Sequence, residues 1–129
     1  MARKSLAVIG IAGTLAAGIA AAAPASAKGG TAVTKSGTCS SASVAWKLKA
    51  KPNNGLIEVE YQVDSNVVGQ TWSWTLADNG VKVASGNATT VAPSGSFTVR
   101  RNIANKAGAD KIVGSAKWGT VTCTGSVTL

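Results

Sequence analysis

The chain has 129 residues, a formal net charge of +8 from thirteen Lys and Arg against five Asp and Glu, two cysteines and no histidine. Without an imidazole there is no His-based general acid or base, no Ser-His or Cys-His nucleophile pair and no His-containing metal site.

Residues 1–27 have the three parts of a secretory signal. Arg3 and Lys4 form a basic start, Leu6 to Ala23 is an uncharged Ala-rich stretch, and Ala25-Ser26-Ala27 is a small-residue cleavage site. Gly10, Gly13 and Gly18 and the modest hydropathy of alanine favour export over retention as a membrane anchor, so no stable membrane insertion is expected after cleavage. Processing removes two basic residues: 129 less 27 leaves 102 residues, with eleven cations against five acids and a net charge of +6. That length predicts one small exported domain with a limited core, and nothing in it asks for a cofactor or a second subunit.

Lys28 to Thr38 reads as a flexible leader, so the domain is placed at residues 39–129. From there the apolar period is two, in short runs separated by turn signals, and each run reads as a strand. Val44, Trp46 and Leu48 alternate with Ala45, Lys47 and Lys49 until Lys51-Pro52-Asn53-Asn54-Gly55 turns the chain. Ile57, Val59, Tyr61 and Val63 then share a face opposite Glu58, Glu60 and Gln62. Matching the apolar faces requires paired numbers with an odd total. A total of 107 sets Trp46 beside Tyr61 and Leu48 beside Val59 inside, with Lys47 beside Glu60 and Lys49 beside Glu58 outside. Lysines matched by acids weaken a nucleic-acid role for this stripe, and none is expected.

Asp78-Asn79-Gly80 signals a second hairpin, since Asn-Gly supplies two positive-φ positions of a type I′ turn. Its register puts Asp78 beside Val81, Leu76 beside Val83 and Trp74 beside Ser85, with Trp72 and Trp74 pointing the same way. Ser96 to Ile103 gives a further strand with Phe97 and Val99 inward. Arg101 falls on that inward face, so either a bulge turns it outward or it lies at an open end. After the loop Asn105 to Asp110, Lys111 to Trp118 and Val121 to Leu129 form a third hairpin about Gly119-Thr120, with Trp118 beside Val121 and Ala116 beside Cys123. The fold class is all-β: a single antiparallel sandwich of immunoglobulin-like type with about seven strands.

Cys39 and Cys123 are the only cysteines, and in an oxidising compartment they form one disulfide that ties the start of the domain to its end. The enclosed loop of about 85 residues corresponds to roughly 4 to 5 kcal/mol of stabilisation in the chain-entropy model. A redox role would need a C-x-x-C spacing or an activating neighbour, and neither is present.

The residues Cys39, Trp46-Lys47-Leu48-Lys49, Ile57-Glu58-Val59-Glu60-Tyr61, Asn79-Gly80, Pro93-Ser94-Gly95-Ser96-Phe97, Asn105 to Asp110 and Cys123 resemble the small secreted immunoglobulin-like proteins of actinobacteria. The resemblance covers nearly the whole mature chain and implies an exported single-domain sandwich with one disulfide. That group has no assigned activity, so it supplies no site residues. A more local resemblance, in Thr98-Val99-Arg100-Arg101 and Trp118 to Cys123, is to the enediyne-binding apoproteins related to neocarzinostatin, and it implies a cleft for an apolar small molecule. Those proteins are acidic and carry two disulfides, unlike this chain.

Four tryptophans are the most distinctive side chains, and Trp46, Trp72, Trp74 and Trp118 all fall on inward faces, as core residues would. The alternative is a partly uncovered sheet on which Trp72 and Trp74, joined by Tyr61 and Trp118, stack sugar rings or an apolar ligand. Glu58 and Glu60 are about 7 Å apart along a strand, within the range of an inverting glycosidase pair. Their lysine neighbours, however, oppose the raised pKa a general acid needs. Asp64 and Asp78 sit beside turn residues, where Asp organises backbone more often than it binds calcium. No catalytic or metal-ligating set emerges. The expectation is a monomeric, secreted, non-enzymatic binding module for an anionic wall polymer or polysaccharide. The alternatives are a carrier of an apolar small molecule, or an inhibitor of a secreted hydrolase acting through a rigid loop.

Overall fold

The computed structural model describes residues 30–129, so the signal sequence predicted over residues 1–27 lies outside the described residues. Eight strands follow: β1 (Val33–Thr38), β2 (Ala45–Asn53), β3 (Leu56–Asp64), β4 (Thr71–Asp78), β5 (Val81–Thr89), β6 (Ser96–Ala104), β7 (Lys111–Trp118) and β8 (Val121–Thr128). They build two antiparallel four-stranded sheets, ordered β1-β2-β3-β6 and β5-β4-β7-β8. No helix occurs among the described residues.

The first correction concerns residues 28–38, expected to be loose. Val33–Thr38 is a strand paired with β2 from Val33↔Ala50 to Thr38↔Ala45. Its polar composition hides it because it is an edge strand: only Val33 and Gly37 sit partly inside, and the rest face water. The ordered domain therefore begins before Cys39, not at it.

The β2–β3 register totals 109, with Trp46 opposite Val63 and Leu48 opposite Tyr61. The inward faces are those expected, but the pairing slips by one dyad because the turn is shorter. Asn54 (φ 53°) and Gly55 (φ 83°) make a two-residue turn, and the strand runs through Pro52 to Asn53. Proline is tolerated there because β1 stops pairing at Ala50, so position 52 is a local edge that lacks nothing by having no N–H.

The Asn79-Gly80 turn forms as expected, with Asp78 opposite Val81. A register shift between Leu76 and Ala77 then moves every later pair, so Leu76 faces Ala84 and Trp74 faces Gly86. The shift leaves Val83 without a partner and exposed, and Val81, paired as expected beside the turn, is exposed as well. The β7–β8 hairpin has the expected pairs Trp118↔Val121 and Ala116↔Cys123. The core between the sheets holds Leu48, Ile57, Val59, Tyr61, Val63, Phe97 and Val99 from one sheet, and Trp72, Trp74, Leu76, Ile112 and Val127 from the other. Cys39, just after β1, bonds Cys123 of β8 across 84 residues of sequence, so the disulfide joins the two sheets along one flank.

Candidate functional site

Alternation places a side chain on a face but does not decide what covers it there, and the tryptophans separate on this point. Trp72 and Tyr61 are fully enclosed, and Trp74 is 3% exposed. The Tyr61 ring lies against Gly114, where an added Cβ would approach it to 2.8 Å, and its hydroxyl donates to the Cys123 carbonyl oxygen at 2.9 Å. Burial pushes that phenol well above its usual range. A stacking platform of Trp72, Trp74 and Tyr61 is therefore not available, and a carrier's cleft at this place is filled by their rings. Of the predicted ligand-contacting residues only Trp118 is exposed, at 42%; it closes the end of β7 against Trp72, ring centroids 6.3 Å apart.

Trp46, not among the expected ligand-contacting residues, is the ring that borders a groove. It enters from β2 on the flank where β1 and β2 face β8, and it is half-buried. Gly37, opposite it on β1, would bring a Cβ within 3.0 Å of the indole, and a Cβ at Gly125 of β8 would overlap the ring outright. Glycines on the two edge strands of this flank thus make room for a large aromatic that remains partly exposed. Beside it opens a groove of about 560 Å³ lined by Lys35, Lys111, Ser36, Thr124 and Ser126, with Val113 at one wall. Neither lysine is ion-paired: the ion pairs among the described residues are Arg100–Glu60 and Lys106–Asp78. An aromatic face, two free cations and three hydroxyls are suited to stacking a sugar ring while holding an anionic substituent. The legible signal was the glycine at 125 in an otherwise inward-facing Cys123, Val127 series.

The outer face of the first sheet also departs from expectation. Lys49 lies opposite Glu60 and Lys51 opposite Glu58, while Lys47 faces Gln62. Glu60 is drawn to the other side, accepting from Arg100 Nε at 2.8 Å and pairing with Nη2 at 2.6 Å. The lysine stripe Lys47, Lys49 and Lys51 thus keeps its charge unpaired among the described residues, and a smaller depression of about 310 Å³ lies between it and Arg100.

Arg101 is neither bulged nor at an open end. The β3–β6 register runs through it without a break, and it faces inward on an edge strand. Its aliphatic stem reaches the open side, its guanidinium covers the Trp74 ring at 5.0 Å, and Nη1 donates to the Arg100 carbonyl at 2.7 Å.

At the far end Asp78 and Asp110 are both buried, and neither oxygen of Asp78 has a hydrogen-bond partner. Burial first, and then the neighbouring Asp110 carboxyl, hold Asp78 above the ordinary carboxylate range, with Lys106 at 4.0 Å partly offsetting them. Asp64 accepts from the Asn66 backbone N–H at 3.0 Å, as a turn-organising Asp does. No protein-family model, curated protein or solved structure matches the chain.

Proposed function

We propose that this is an exported, non-enzymatic binding module of the immunoglobulin-like type, and that the groove beside Trp46 takes a sugar unit bearing a negative charge, as in an anionic wall polymer or acidic polysaccharide. The observation that carries the reading is the partly exposed Trp46 ring lining one groove with unpaired Lys35 and Lys111. Strand order supports the fold assignment: β2-β3-β6 and β5-β4-β7-β8 follow the order A-B-E and C′-C-F-G, with β1 added outside the first. The disulfide differs from the antibody pattern, since it joins the β1–β2 connection to the last strand. Export accords with that disulfide and with the leader sequence.

Titration of tryptophan emission with oligogalacturonate tests the groove. A saturable change is expected, abolished by Trp46→Ala, weakened at least tenfold in Lys35→Gln/Lys111→Gln, and reduced by salt. Equal response to neutral cello-oligosaccharides, or none to either, rejects the reading.

A further inference from the structure

The two ends of the sandwich are built from different chemistry. At one end the connections are Cys39–Val44, Ser65–Gln70, Thr90–Gly95 and Gly119-Thr120, and none contains an ionisable side chain. In a domain with so many lysines the connections of this end lack charge, and they carry three exposed valines, against Leu56 and Val81 beside the turns of the other end. Val67, Val68 and Val91 are 51%, 56% and 58% exposed, and Trp118 stands at the base of the same end. The opposite end has charged residues in its longest connection, Lys106 and Asp110.

The apolar tips are held in place. Gly69 N–H donates to the Thr90 carbonyl and Thr90 N–H to the Gln70 carbonyl, each at 2.8 Å, and the Thr90 hydroxyl donates to the Val67 carbonyl at 2.6 Å. Ser65 N–H donates to the Gly95 carbonyl at 2.9 Å, and Gly95 packs so closely on the Val67 backbone that a Cβ there would collide with it. Gln70 accepts from the Trp72 indole N–H at 3.2 Å, and the Trp72 ring lies tilted beside Trp118, which links the tips to the exposed indole. Two connections are therefore locked together with their valines outward, and docking them costs little ordering entropy.

We propose that this end docks reversibly into the surface of an anionic lipid bilayer. Valines from separate connections, interleaved with Ser and Thr hydroxyls, need a partner that conforms around each tip, and an acyl–headgroup boundary does so. Trp118 is placed where an amphipathic indole favours the interface. Lys47 and Lys117, within two residues of the strand ends at this pole, supply the positive charge that anionic headgroups attract, against the single acid Asp64. The surface is separate from the Trp46 groove and does not depend on the proposal made for it.

The test uses the disulfide-bonded protein without residues 1–27, which keeps every described strand. It is mixed with vesicles of phosphatidylglycerol and phosphatidylcholine in equal parts, or of phosphatidylcholine alone, and sedimented. Binding to the anionic vesicles is expected, with Trp118 emission shifted to the blue. Val68→Asp/Val91→Asp should lower the bound fraction at least tenfold at an unchanged melting temperature, and Lys47→Gln/Lys117→Gln should erase the preference for anionic vesicles. Binding that survives the valine changes but is lost in Lys35→Gln/Lys111→Gln overturns the proposal in favour of headgroup capture by the groove. No binding to either vesicle overturns it too, and leaves an apolar protein surface as the occupant.

Discussion

The two flanks of the sandwich use one packing device and reach opposite results. On each, a tryptophan one strand in from the edge lies against the glycine paired with it on its own sheet's edge strand, Trp46 against Gly37 and Trp74 against Gly86, where a Cβ would come within 3.1 Å of the ring; Trp46 also meets Gly125 on the edge of the facing sheet. On the β5–β6 flank the guanidinium of Arg101 covers the indole, leaving Trp74 3% exposed. On the β1–β8 flank no side chain among the described residues plays that part; Lys35 and Lys111 line the groove that opens beside the ring. The open flank is instead tied covalently by the Cys39–Cys123 bond, beside which Ser40 and Thr122 exchange hydrogen bonds. A sandwich can therefore leave one aromatic accessible when a covalent tie replaces the packing that would have buried it.

Removing that tie tests the contrast most severely. Cys39→Ser/Cys123→Ser should cost about 4 kcal/mol by the chain-entropy estimate, a large part of the net stability of a domain this size. Denaturant melts followed at Trp emission should show the open flank responding first, with Trp46 quenched by acrylamide before Trp74. Simultaneous exposure of both rings would mean the flanks are not separately held.

Gly125→Ala should come next, at about 1 to 3 kcal/mol, because the new methyl overlaps the Trp46 ring and must push it outward. The same change at Gly86 meets Trp74 at a distance that neighbours can relieve by a few tenths of an ångström, so it should cost less. Urea unfolding of the two variants compares them directly. Equal losses would show that the open flank is no tighter at its glycine than the closed one.

Much of this frame was legible in the sequence, and the failures have a common physical origin. Period-two alternation assigned the inward face of β2, β3, β4 and β7 correctly, and the Asn79-Gly80 turn fixed its hairpin because its two positive-φ residues leave little choice. Asn54-Gly55 carries the same signal, but Pro52 reads as a strand terminator, and that reading displaces the register by one dyad. The shift at Leu76/Ala77 has no local marker, and β1 has no alternation strong enough to see, since an edge strand is not required to bury much. Parity made all four tryptophans look equivalent. What covers each ring, which separates Trp46 and Trp118 from Trp72 and Trp74, depends on which strands become neighbours across the sandwich, since all four stand on strands one in from an edge.

A change at the end of the sandwich should alter stability while leaving both flanks as they are. The pKa of Asp78 is raised in the folded protein, so the folded state binds its proton more tightly than the unfolded state does. Stability contributed by that proton is present below the unfolded carboxylate value and is lost as pH rises through the raised folded value. Asp78→Asn should therefore stabilise the protein at neutral pH, by about 1 to 3 kcal/mol if the unsatisfied carboxylate is the main penalty, and flatten the pH profile on the acid side. Trp46 and Trp74 quenching should not change. A variant that is less stable at pH 7 would show that Lys106 outweighs burial and Asp110 at this position.

The smallest expected loss is the most informative about the groove. Arg101→Ala removes the cover from Trp74, at a cost of about 0.5 to 1 kcal/mol for the cation–π contact, or a few degrees in melting temperature. Trp74 should become accessible to acrylamide, so that both flanks present an indole over glycine. They would still differ in charge, because the exposed ring on the β5–β6 flank would lack the two lysines that flank Trp46. If ligand capture needs ring and cations together, Arg101→Ala exposes a tryptophan without adding a second oligogalacturonate site. A second binding event of similar affinity would mean that an uncovered indole suffices, and that the role of Arg101 is to keep one flank from binding at all.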